Sequence, residues 1–222
     1  MKIMEEGNSS CSRSLAVYAP LLRAILEDNW KAAEAFIQAH QGCLEAAITK
    51  DDDTALHFAA GQKRTRFVKN LVSKMEPKQL ESKANNGKTT ALYFAAQTEI
   101  VTIAEVMVKK NKELPSIFPK DSIQFLPLYA AIETGNRDMV WYLYSVTPIE
   151  DLVSADRIEL LKATISSDLY DMALEILKTL KLTTEEKELH LWSNQLKMLA
   201  RKPSEIGSTH QPSLWKRCLN SC

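Results

Sequence analysis

The chain has 222 residues, 45% of them apolar, with only six glycines and eight prolines; it can bury a core, has too few turn formers for an all-β sandwich, and leans toward helix. Lysine plus arginine and aspartate plus glutamate number 28 each, so the formal charge is zero and argues against a dedicated nucleic-acid binder. Four spread-out cysteines, Cys11, Cys43, Cys218 and Cys222, follow a polar start without an apolar signal core, which points to free thiols in a reduced, intracellular setting, and no run approaches 18 uncharged apolar residues.

Residues 1–14 are expected to be disordered. The first apolar pattern is Ala19-Pro-Leu-Leu-Arg-Ala-Ile25, followed by Ala33, Phe36 and Ile37. Apolar residues at i, i+3 and i+4 form one stripe of a helix, so this segment predicts two helices, with Trp30 near the turn between them. A run of turn formers, Asp51-Asp52-Asp53, then precedes Thr54-Ala-Leu-His-Phe-Ala-Ala60, and a second stripe follows at Val68, Leu71 and Val72. The arrangement recurs. Asn85-Asn86-Gly87 leads into Thr90-Ala-Leu-Tyr-Phe-Ala-Ala96 and then Ala104, Met107 and Val108. Leu126-Pro-Leu-Tyr-Ala-Ala-Ile132 leads to Val140, Leu143 and Tyr144, with Gly135 placed to close the first helix. The three motifs start 36 residues apart, twice. A weaker copy, Glu159-Leu-Leu-Lys-Ala-Thr-Ile165, carries Ala173, Ile176 and Leu177 behind it, and a half-unit at 194–200 ends before Pro203. Repeats are therefore expected over 15–205, in about four to five units, with 206–222 a disordered or truncated tail.

A helical hairpin leaves an apolar face that only a stacked neighbour can cover. The Ala-Ala pairs let helices approach closely, and Thr54 and Thr90 stand where an N-cap would satisfy the first backbone N–H groups of a helix. The Thr-Ala-Leu-His-Phe-Ala-Ala phrase resembles the ankyrin signature. That resemblance implies an all-α solenoid of stacked helix-turn-helix units with finger loops. The departures are that Asp52 stands where most ankyrin units have glycine, Gly87 sits one residue early, and the signature histidine survives only at His57, with Tyr93, Tyr129, Lys162 and Lys197 in its place elsewhere.

Several motifs invite chemistry and fail on spacing. Gly87-Lys88-Thr89 lacks the glycine five residues earlier that a phosphate-wrapping loop needs; position 82 is serine. His57 has no nucleophile or orienting partner in the pattern, and its family role is structural. His40, His190 and His210 form no ligand spacing, and Cys218 with Cys222 lacks a second ligand pair for zinc. Asp51-Asp52-Asp53 lacks the alternation and terminal glutamate of an EF-hand. The aromatic residues Trp141, Tyr142 and Tyr144 read as core by helical spacing, while Trp192 or Trp215 could cover the end of the array. No enzyme activity, metal or cofactor is expected.

In the ankyrin architecture the finger tips and outward faces of the first helices line a concave groove. The two residues after each Ala-Ala motif project into it: Gly61 and Gln62, Gln97 and Thr98, Glu133 and Thr134. Finger residues Asp51, Asp53, Asn86, Lys88 and Gln124 complete the expected partner-binding set, which has no aromatic anchor, so that affinity is expected from Phe125 or from the partner's own aromatic residues. A protein partner is expected, not nucleic acid. A closer resemblance lies in Asp28-Asn-Trp-Lys-Ala-Ala33, Ile48 to His57, Leu169-Tyr-Asp-Met-Ala-Leu174 and Leu199-Ala-Arg-Lys-Pro-Ser204, which are similar to plant ankyrin proteins of the accelerated-cell-death type that end in a PGG membrane domain. It implies a cytoplasmic scaffold in defence or stress signalling, held at the plasma membrane in anchored members. This chain is then either a soluble relative or the regulatory part of such a membrane protein.

Overall fold

The computed structural model describes residues 16–180. Ten α-helices alternate along them: α1 Ala19–Leu26, α2 Trp30–Ala39, α3 Ala55–Gly61, α4 Thr65–Lys74, α5 Ala91–Ala96, α6 Val101–Lys110, α7 Pro127–Thr134, α8 Arg137–Val146, α9 Ser154–Ser166 and α10 Tyr170–Thr179. Each odd helix packs against the even helix that follows it, giving five hairpins. The odd helices also pack on one another in chain order, α1 on α3 on α5 on α7 on α9, and α4 packs on α6 and α6 on α8. The result is a two-layered solenoid. Its first helices form one layer and its second helices the other. The expectations for 1–14, Cys11, the half-unit at 194–200 with Lys197, His190, His210, Trp192, Trp215, Cys218, Cys222 and the tail 206–222 lie outside the described residues.

The core runs between the layers. Ala59, Ala60, Ala95, Ala96 and Ala131 are fully buried, and so are Phe67, Leu71, Ile103, Met107, Met139 and Leu143 from the second helices. Alanine is required in the first layer because a larger side chain would push neighbouring hairpins apart. Trp30 meets Phe67 edge to face at 5.1 Å, and the Lys74–Glu34 pair at 2.8 Å lies alongside, so the first two units are joined by both apolar and polar contacts.

The turn between the helices of a unit has a repeated conformation. Asp28, Lys63, Gly135 and Asp168 stand nine residues after the equivalent positions Ala19, Thr54, Leu126 and Glu159, and all four have positive φ, from 51° to 69°. This shared left-handed residue aligns the outer hairpins with the central ones where their side chains do not. Only Gly135 takes the conformation freely; an L side chain there carries a steric cost. The third unit uses a different device. Thr98 donates its hydroxyl to the Ala95 carbonyl at 2.7 Å and accepts from the Ile100 N–H at 3.3 Å.

Two expectations are corrected. The last described first-layer helix begins at Ser154, so Glu159 lies inside α9 and not at its start. Nothing at 159 breaks a helix, whereas Ser154 to Asp156 supplies an acidic first turn that favours a start there. Trp141 is 40% exposed on the outer layer with its ring against Tyr144 at 6.2 Å; Tyr142 and Tyr144 are half-buried.

Candidate partner-binding surface

The fingers that precede α3, α5 and α7 are held to one another. In the finger before α3, Asp52 has a φ of 62°, the left-handed conformation that glycine would supply. Thr49 Oγ1 accepts from the Asp51 and Asp53 N–H groups and donates to Asp53 Oδ2 at 2.9 Å. Asp53 is therefore half-buried and committed to its own turn, a correction to its reading as a free contact residue; burial pushes its carboxyl pKa up, and Asp51 and Asp52 add to the rise. The next finger is a small antiparallel hairpin, with Lys83 paired to Thr90 and Ala84 to Thr89. Asn85, Asn86 and Gly87 turn it, all with positive φ. The Asn85 N–H donates to the Asp51 carbonyl at 2.8 Å, and Lys88 Nζ sits 5.3 Å from the centre of the Phe125 ring. One finger is thereby tied to the finger before it and to the one after.

His57 connects fingers to helices. Its Nδ1 accepts the Thr54 N–H at 3.2 Å and lies 2.8 Å from Thr54 Oγ1. With Nδ1 accepting, the proton is on Nε2, which donates to the Thr89 carbonyl of the next unit at 3.3 Å. The ring also meets Phe94 edge to face at 5.6 Å. Desolvation lowers its pKa to about 4, with the Thr89 bond acting the other way, so the imidazole is neutral and structural at neutral pH. Thr90 differs from Thr54. It makes no side-chain cap bond, and its buried hydroxyl has no partner. Its equivalent of His57 is Tyr93, a half-buried ring set against Phe94 and Phe125 with no bond to the cap.

The residues expected to face a partner fall into three groups. Gln62, Gln97, Glu133 and Thr134 are exposed at the ends of α3, α5 and α7, with Gly61 beside them. Asp51, Asn86, Lys88 and Gln124 are exposed on the fingers. Thr98 is corrected: it is 3% exposed, with its hydroxyl held between the Ala95 carbonyl and the Ile100 N–H.

Sequence reasoning named Phe125 and missed the rest of the aromatic content of this surface. Phe58, Tyr93, Phe94, Phe125 and Tyr129 are all half-buried. Tyr93 lies 6.0 Å from Phe94 and 6.2 Å from Phe125, so the rings run from α5 to the finger before α7. The signal was present as Tyr93 and Tyr129, which were read only as replacements for the signature histidine. Beyond them, α7 and α9 part to leave an open cleft of about 540 Å³ lined by Tyr129, Glu133, Glu159 and Lys162, with Ala163, Ser166 and Ser167 completing its wall.

A family model described as ankyrin repeats, in three copies, matches residues 7–117. The chain belongs to the ankyrin-repeat family. Its fold is an all-α ankyrin solenoid, and hairpins α7–α8 and α9–α10 extend the array beyond the matched residues. No curated protein matches the chain. Ankyrin repeats are generally protein–protein interaction modules and typically not enzymes. Among the described residues no helix is long and apolar enough to cross a membrane, and no three histidine, cysteine or acidic side chains are grouped to hold a metal ion. The thiol of Cys43 is buried, which raises its pKa.

Proposed function

We propose that this ankyrin-repeat chain is a non-catalytic scaffold that binds a protein partner along its inner surface. The observation that carries the reading is the row formed by Gln62, Gln97 and Glu133. These side chains are exposed at the C-terminal ends of successive first-layer helices, Gln97 and Glu133 at equivalent places and Gln62 one position further along its repeat, while the half-buried rings of the same helices and finger supply the amphipathic area that interface hot spots use. The working set is Asp51, Gln62, Asn86, Lys88, Gln97, Gln124, Glu133 and Thr134, with Phe58, Tyr93, Phe125 and Tyr129. The scaffold works in intracellular signalling of the plant defence or stress type, a context supported by the phrases at 28–33, 48–57, 169–174 and 199–204. The same phrases support a second reading, the regulatory part of a membrane-anchored ankyrin protein; transcript sequence that encodes hydrophobic helices after Cys222 would favour it.

The test is capture by the tagged chain in its own cells, with mass spectrometry of what it retains. Gln62→Arg with Gln97→Arg should abolish retention of the specific partner while the melting temperature barely moves. Retention by that variant would remove the inner surface from consideration.

A further inference from the structure

The cleft between α7 and α9 has a chemistry of its own. Tyr129 forms one side of it and Glu133 and Glu159 stand at its edges. Glu159 is paired with Lys162 at 2.5 Å, but Glu133 is exposed and has no ion-pair partner among the described residues. The segment that builds the cleft is acidic: residues 133–175 hold nine carboxylates and three basic side chains, and Glu133 and Glu159 both act on the Tyr129 hydroxyl. All three basic groups are already engaged, Arg137 with Asp171, Arg157 with the Thr179 carbonyl and Lys162 with Glu159. Such a region raises the local concentration of cations and steers a basic segment toward it.

We propose that this cleft receives an arginine side chain from a basic peptide segment of the partner, its guanidinium stacked on Tyr129 and paired with Glu133. The assignment rests on the inner-surface reading above and specifies the partner's chemistry there. A planar guanidinium suits the site because it can lie on an aromatic face and direct N–H groups at a carboxylate in the same plane, which a compact ammonium does less well. The carboxylate of Glu133 is felt at both rings: the Tyr93 and Tyr129 hydroxyl pKa values are raised by burial first and by Glu133 next. The Lys162 ammonium, which also lines the cleft, is engaged by Glu159.

A random peptide library panned against the full chain tests this. The selected binders should be enriched in arginine. Replacing that arginine by norleucine, or making Glu133→Gln, should weaken binding about tenfold, the size of one charge-assisted contact, and raising salt should weaken it further. Glu133 is exposed, so Glu133→Gln should leave the melting temperature unchanged. Peptides that bind equally well with lysine in place of arginine would overturn the stacked guanidinium. Binders without any cation that are nevertheless lost on Gln62→Arg with Gln97→Arg would overturn the cleft's assignment and leave the inner surface standing. Binders indifferent to both sets of substitutions, or no binder at all, would overturn both.

Discussion

The second and third units and the last described unit solve the same packing problem with different means. In α3 and α5 the first helix is short, seven and six residues, and starts at a threonine fed by an ordered finger. His57 then stitches finger, helix and next unit with three polar contacts. In α9 the helix is 13 residues long and begins at Ser154, Lys162 replaces the histidine, and the charge-bearing Arg157 reaches the C-terminal end of α10 instead. The central units are held by buried, specific polar bonds to their neighbours. The last one is held by apolar contact and by solvent-facing pairs, each worth little. Stability in a solenoid is a sum of unit and interface terms, so the two regions should open at different free energies while the left-handed turn keeps their geometry alike.

That contrast can be broken most forcefully in the centre. Phe67→Ala removes a fully buried ring that touches Trp30 and should cost about 3–5 kcal/mol, seen as loss of the whole transition in urea unfolding. Ile176→Ala, also fully buried but in α10, should instead speed amide exchange in α9 and α10 and leave α3 to α6 protected; equal effects across the array would deny that the units differ. The second largest effect is pH. His57 has a folded pKa of about 4, below its unfolded value of 6.5, so the unfolded chain binds the proton preferentially. Its contribution is complete above pH 6.5 and is lost as pH falls through 4, by about 3 kcal/mol in all. Urea unfolding at pH 7 and pH 4.5 reads this, and His57→Gln should flatten the dependence. Ala95→Leu comes next, overpacking the α3–α5–α7 layer by about 1–3 kcal/mol in the same assay. The smallest effects sharpen the comparison at the shared turn. Lys63→Gly should stabilise by about 0.5–1 kcal/mol, and Gly135→Ala should destabilise by about 1 kcal/mol, although nothing lies within 4 Å of the added methyl group. A thermal scan that found neither change would show that the left-handed turn is not a cost the unit bears.

Much of this fold was legible. The 36-residue spacing of Thr54, Thr90 and Leu126 located three hairpins, and the stripes at Val68, Ala104 and Val140 located their second helices, because burial at helical period leaves a trace in residue type. The turn at 135 announced itself as glycine. The same turn at 28, 63 and 168 did not, since aspartate and lysine adopt the left-handed region only when the packed hairpin compels them. The proposed surface was legible in part. Counting from the alanine pairs placed Gln62, Gln97 and Glu133 at positions that are exposed at the helix ends. Thr98 was misplaced by the same count, since its hydroxyl has two uses and only the backbone decides between them. The half-buried rings of Tyr93 and Tyr129 were visible as letters, but their direction was not.

The sequence by itself determined the class of architecture, the repeat length, the alanine layer and the family, because each depends on local periodicity and side-chain volume. Only the tertiary structure decided where α9 begins, which threonine turns inward, that Asp53 belongs to its own turn and that Tyr129, Glu133 and Glu159 share one cleft. The turns at Asp53 and Thr98 rest on local side-chain bonds whose choice among several partners only the folded backbone makes, and the cleft joins residues of different units, 26 and 30 positions apart, a separation that carries no signature in the order of the chain.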